Sequence, residues 1–136
     1  SHKRAWAEHR NLTSDQYSTY WNDYRDKGYR PSDFESYLSG SNQRYAGIWV
    51  KNTEGIAWSS RRNMTSAEYS TYFNQQRDLG RRPIDIEVYS TGSGLRYAAI
   101  WYQNVGNVAW VQLRDAEVDA VGERTAVVVI APVGER

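Results

Sequence analysis

The chain of 136 residues carries 17 basic and 16 acidic side chains, a formal net charge of +1. That balance argues against a dedicated nucleic-acid partner, which is met by a basic stripe and a pI above ~9. The absence of cysteine excludes disulfides, thiol catalysis and Cys-ligated metals, and the longest apolar run, 126–132, is too short to span a bilayer.

The sequence repeats itself. Shifted by 52 residues, positions 6–57 fall on 58–109 without a gap, and 27 of those 52 positions are identical. Trp6 returns as Trp58 and again as Trp110, RNLTSDQYSTY (10–20) returns as RNMTSAEYSTY (62–72), and RYAGIW (44–49) returns as RYAAIW (96–101). A repeat of this length is one supersecondary unit that hides its apolar face against a neighbour.

In chain order, residues 1–3 read as a tag remnant or linker, and 4–10 as a closing strand matching the last strand of a repeat. Repeat 1, over 11–62, opens on a helix. Thr13 and Gln16 form a capping box, Leu12 and Tyr17 a hydrophobic staple, and Tyr17, Tyr20, Trp21 and Tyr24 an apolar stripe. Gly28 stands at the C-terminal cap, with Pro31 just beyond. Strands follow at 32–38, 44–51 and 56–62, joined by turns at 39–42 and 53–55. Repeat 2, over 63–114, has Thr65/Glu68, Met64/Tyr69, the stripe Tyr69, Tyr72 and Phe73, then Gly80 and Pro83, with strands at 84–90, 96–103 and 108–114 and a second turn around 105–107. The tail, 115–136, breaks the pattern. Its uncharged, β-branched run at about 125–131 is an aggregation hazard unless paired, and it is expected to cover an open sheet edge. The class expected is α+β: tandem αβββ repeats, antiparallel sheets each with one packed helix, preceded by an orphan N-terminal strand.

These elements resemble the bacterial tandem repeat domain family, whose pattern runs W-x-x-x-R-x-(L/M)-T, then Y-x-x-x-(F/W), G-(Y/R)-R-P and R-Y-A-x-I-W. Here they are Trp6-Arg10-Leu12-Thr13, Tyr17-Trp21, Gly28-Tyr29-Arg30-Pro31 and 44–49, with second copies from Trp58 to Trp101. The resemblance covers 4–114. It implies a bacterial protein that is secreted or at the cell surface, although the sequence itself shows no signal-peptide pattern. Such repeats stand beside serine hydrolases of the β-lactamase type, as in polyglycine hydrolases. No Ser-x-x-Lys occurs in the chain, so the hydrolase's nucleophile and base do not carry over.

The residues themselves offer no catalytic constellation, no metal set and no cofactor motif. A Ser/His/Asp triad would have to use His9, whose place in copy two is taken by Arg61. The sharpest polar signal is Asp-x-Glu-x-Tyr: Asp33, Glu35 and Tyr37, then Asp85, Glu87 and Tyr89. Period-two spacing puts each trio on one side of a strand. Three readings stand: cross-strand ion pairs with Arg44/Arg96 or Arg30/Arg82, acceptors and stacking rings for a carbohydrate or peptide polymer, or a glycosidase carboxylate pair. Tyr45 and Trp49, with Tyr97 and Trp101, share a face of the next strand and form either core or a groove. The function expected is noncatalytic binding of an extended ligand through these ten residues, and the alternatives are a self-assembling scaffold or accessory repeats of an absent hydrolase. Two units fall below the three or so that a solenoid needs, so a homo-oligomer or a longer array is expected.

Overall fold

The computed structural model describes residues 5–105, 110–118 and 124–132, with side chains through Val105. Residues 1–3, expected to be a tag remnant or linker, and most of the turn at 105–107 lie outside the described residues. The chain divides into two units at Ala57/Trp58. Unit 1 runs β1 (Trp6–Leu12), α1 (Ser14–Asp26), β2 (Tyr29–Ser39) and β3 (Asn42–Lys51). Unit 2 repeats this as β4 (Trp58–Met64), α2 (Ser66–Asp78), β5 (Arg81–Thr91) and β6 (Gly94–Gln103), and adds β7 (Trp110–Val118) and β8 (Arg124–Pro132). The sheets are antiparallel, in the orders β1-β3-β2, β4-β6-β5 and β7-β8.

The α+β class, with one helix on each antiparallel three-stranded sheet, is as expected, but the repeat is phased differently from the division at 11–62 and 63–114. Each sheet is closed by the strand before its helix, so the unit is βαββ. β3 has only two edges. A tight turn at Ser39–Asn42 gives one to β2, and β1 holds the other, with Trp6 opposite Val50 and Ala7 opposite Trp49. The N-terminal strand is therefore no orphan, and β4 finds its ladder on β6 instead.

Both helices begin with the capping boxes the sequence spells. Thr13 Oγ1 accepts from the Gln16 N–H at 3.2 Å and Gln16 Oε1 from the Thr13 N–H at 2.9 Å; Thr65 and Glu68 do the same at 3.2 and 2.9 Å. The second box carries a charge and the first does not. The Thr65 N–H holds the Glu68 carboxyl below its usual value, and Arg61 and Arg96 reinforce this. A depressed carboxylate pKa stabilises the fold above the unfolded value and loses that contribution as pH falls through the folded one. Acidification should therefore loosen the first turn of α2 and leave that of α1 intact, read as amide exchange at Glu68 and Gln16. Equal loosening of both would refute this.

Bulges set which side chains meet the helix. Between His9 and Leu12 the β1 ladder slips by one residue, as β4 does between Arg61 and Met64. Without that extra residue His9 and Leu12 would point to opposite faces; with it, Leu12 and Met64 are buried while His9 stacks under the helix on Tyr20. A matching slip after Pro31 and Pro83 puts each buried proline on the same face as Phe34 or Ile86.

At the first bulge Asn11 is left-handed (φ 56°), as is Asn63 (φ 61°) at its equivalent, a conformation asparagine tolerates better than most residues. The exposed backbone N–H is then met by a tyrosine: Asn11 N donates to Tyr37 Oη at 3.0 Å, and Asn63 N to Tyr89 Oη at 2.9 Å. Tyr89→Phe should cost about 1–1.5 kcal/mol, and Tyr37→Phe about 0.5, because water replaces an exposed bond more readily. Urea unfolding checks the order, and a larger loss for Tyr37 would contradict it.

Candidate functional site

Each three-stranded sheet has a helix face and an outer face. On the helix face of unit 1, Trp49 is 1% exposed, with Tyr24 stacked on it at 5.1 Å and Tyr17 tilted to it at 5.6 Å; Tyr17 meets Phe34 edge-on at 5.3 Å. In unit 2 Trp101 is 0% exposed beneath Tyr72, and Tyr69 stacks on Tyr97 at 5.0 Å. Tyr45, Tyr97 and Tyr89 are buried as well. Of the ten residues expected to line a ligand groove, Tyr45, Trp49, Tyr97 and Trp101 are thus core. They share a face as expected, but a helix lies on it.

The copies fill the space beside these tryptophans differently. In unit 1, His9 stacks on Tyr20 at 3.7 Å and its Nε2 shares a 2.8 Å hydrogen bond with Tyr24 Oη. Burial pushes the Tyr24 phenol up, against a lowering by Lys27. Unit 2 has Arg61 over Tyr72 at 4.8 Å, and Gln76 in place of Tyr24. Gln76 Oε1 accepts from Ser59 Oγ and, at 2.9 Å, from Arg81. This polar network escaped the sequence reading. Its only signal is that three positions, occupied by Ala7, Tyr24 and Tyr29 in copy one, change together to Ser59, Gln76 and Arg81.

The outer face of unit 1 carries the polar residues. Alternation along β2 brings Asp33, Glu35 and Tyr37 to one side, and β1 adds Glu8 and Arg10. With Ala46, Gly47 and Ile48 they line a depression of about 410 Å³. Glu8 and Arg10 were not foreseen as neighbours of this trio; their proximity follows from the β1-β3-β2 order. Arg10 is held by Glu8 at 3.1 and 3.2 Å, and Asp33 accepts from the Phe34 N–H at 3.0 Å. Of the arginines expected as cross-strand partners, Arg30 donates to Asn52 at 2.7 Å and Glu54 at 3.2 Å in the next turn, and Arg44 donates to the Gln43 carbonyl. Tyr37, 38% exposed, has its phenol on the Asn11 bulge. In unit 2 Asp85 and Glu87 are half-buried on β5, and Ala98 and Ile100, the counterparts of Ala46 and Ile48, are fully buried.

The βαββ phase agrees with comparison to known families. Residues 3–52 and 55–104 each match the family described as polyglycine hydrolase-like, structural repeat. The chain belongs to that family. Each match begins at the strand before the helix and ends after β3 or β6, so the polyglycine hydrolase-like repeat and the structural unit coincide. Comparison with curated proteins finds no significant match.

Proposed function

We propose that this pair of polyglycine hydrolase-like repeats is a noncatalytic scaffold of a secreted or surface protein, spacing or presenting a catalytic domain carried elsewhere, such as a serine hydrolase of the β-lactamase type. The observation that supports it is the burial of Trp49 and Trp101. Sugar or peptide recognition by stacking needs ring faces open to solvent, and here both indoles lie under helices, while the Tyr37 and Tyr89 phenols close backbone bulges. The aromatics buried in both copies, Tyr17/Tyr69, Tyr45/Tyr97 and Trp49/Trp101, are accounted for by repeat stability, whereas Trp6 is 63% exposed.

A second reading has one observation of its own, the polar depression on the outer face of unit 1. There Glu8, Asp33 and Glu35 offer carboxylates to the hydroxyls or N–H groups of a carbohydrate or peptide polymer. An NMR titration of the full chain with soluble polysaccharides and peptide polymers separates the two. The scaffold leaves all amide shifts in place. Saturable shifts confined to Glu8, Asp33 and Glu35 would replace it with the binding reading.

A further inference from the structure

The two copies carry different charge along one flank of the helix. In unit 2, Arg61 on β4 and Ala67, Glu68, Thr71, Tyr72 and Gln75 on α2 line a depression of about 280 Å³. Shifted back by 52 residues, the same stations hold His9, Asp15, Gln16, Thr19, Tyr20 and Asp23. Copy two has thus lost two aspartates and exchanged a histidine for an arginine. The carboxylate it gains, Glu68, is held by the Thr65 N–H at 2.9 Å, and both Arg61 and Arg96 act on it. Two guanidiniums against one carboxylate leave positive charge in excess here.

The donors of this flank are idle. The Arg61 guanidinium sits over the Tyr72 ring at 4.8 Å, a contact that consumes none of its N–H groups. Among the described residues, no side-chain hydrogen bond or ion pair engages Arg61, Thr71, the Tyr72 hydroxyl or Gln75. In copy one the same flank is occupied: Thr19 donates to the Asp15 carbonyl at 3.1 Å, and Asp23 pairs with Lys27 at 3.1 Å.

We propose that this flank of α2 docks a carboxylate of an acidic peptide segment, with Arg61 as its ion-pair partner and Thr71 and Gln75 as flanking donors. A planar guanidinium matches the two oxygens of a carboxylate. A peptide suits the depression better than an acidic sugar. Tyr72 has Arg61 on its ring and Trp101 against it at 5.2 Å, so it offers no open face for a sugar to stack on. The proposal goes beyond the scaffold reading, because it gives the scaffold a contact for an acidic segment of whatever it carries. The two are tested apart: Glu8, Asp33 and Glu35 report on the one, and Arg61, Thr71 and Gln75 on the other.

The test is an NMR titration of the full chain with the short peptide acetyl-Gly-Glu-Glu-Gly-amide. Saturable shifts are expected at the amides of Arg61, Thr71 and Gln75, weakening as salt is added. Their absence would overturn the site. Gln75→Asp installs the residue that copy one carries as Asp23, so the fold already accepts it, and Arg61→Gln removes the charge alone. Each should weaken binding about tenfold or more, as the loss of one charge-assisted bond does, with helix content by circular dichroism unchanged. Undiminished affinity in either variant would overturn the assignment of Arg61 and its neighbours. Equal shifts with acetyl-Gly-Gln-Gln-Gly-amide would show that the carboxylate is not what is recognised, and the proposal would fall.

Discussion

Trp49→Ala should destabilise unit 1 by about 3–5 kcal/mol, the range for truncating a buried aromatic, and Trp101→Ala should do the same to unit 2. Trp49 is the floor on which α1 rests: Tyr24 and Tyr17 lie against it, and His9 is tilted to it at 6.3 Å. Removing the indole leaves a cavity beside these three rings, only some of which can collapse into it. Small units have little stability to spare, so the expected observation is loss of α1 amide protection in Trp49→Ala with α2 retained, and the reverse in Trp101→Ala. A Trp49 variant as stable as the parent in urea would mean that the ring is not core, and would reopen the groove interpretation.

Gly47→Ala should cost about 1–3 kcal/mol, as overpacking of a filled core does. A Cβ there would sit 2.8 Å from Trp49 Cη2 and 3.2 Å from Tyr17 Cε2, and both rings are pinned from above by the helix. Copy two carries Ala99 at this station, buried without difficulty, because its rings stand further off. Tyr69 and Trp101 are 6.4 Å apart where Tyr17 and Trp49 are 5.6 Å apart, and Phe34 is replaced by Ile86. The reciprocal Ala99→Gly should cost less, about 0.5–1 kcal/mol. Thermal unfolding of the two variants would expose the error if Gly47→Ala were neutral, or were the milder of the pair.

Much of the fold was legible because its determinants are local. Thr13 with Gln16 and Thr65 with Glu68 name the helix starts through bonds that span three residues, and Gly28 (φ 85°) and Gly80 (φ 78°) follow the helix ends in the left-handed region. Alternation placed Phe34 and Ile86 opposite the Asp-x-Glu-x-Tyr trio. The candidate site was legible only in part. Asp33, Glu35 and Tyr37 do share a surface, but Glu8 and Arg10 join it across β3, and sequence spacing carries no record of that neighbour. Arg30 was a natural partner for the carboxylates by charge, yet the turn after β3 offers it Asn52 and Glu54.

The sequence by itself determined the repeat, the two capped helices and the alternating strands, because each depends on residues within a few positions of one another. Tertiary structure alone decided the phase of the repeat and the fate of the tryptophans. A pattern of period 52 reads the same wherever it is cut, so αβββ and βαββ are indistinguishable until strands compete for the two edges of β3. An aromatic stripe likewise becomes core or groove only when a helix covers one face of the sheet, and it is the bulges at His9–Leu12 and after Pro31 that turn His9, Leu12, Pro31 and Phe34 together toward that helix.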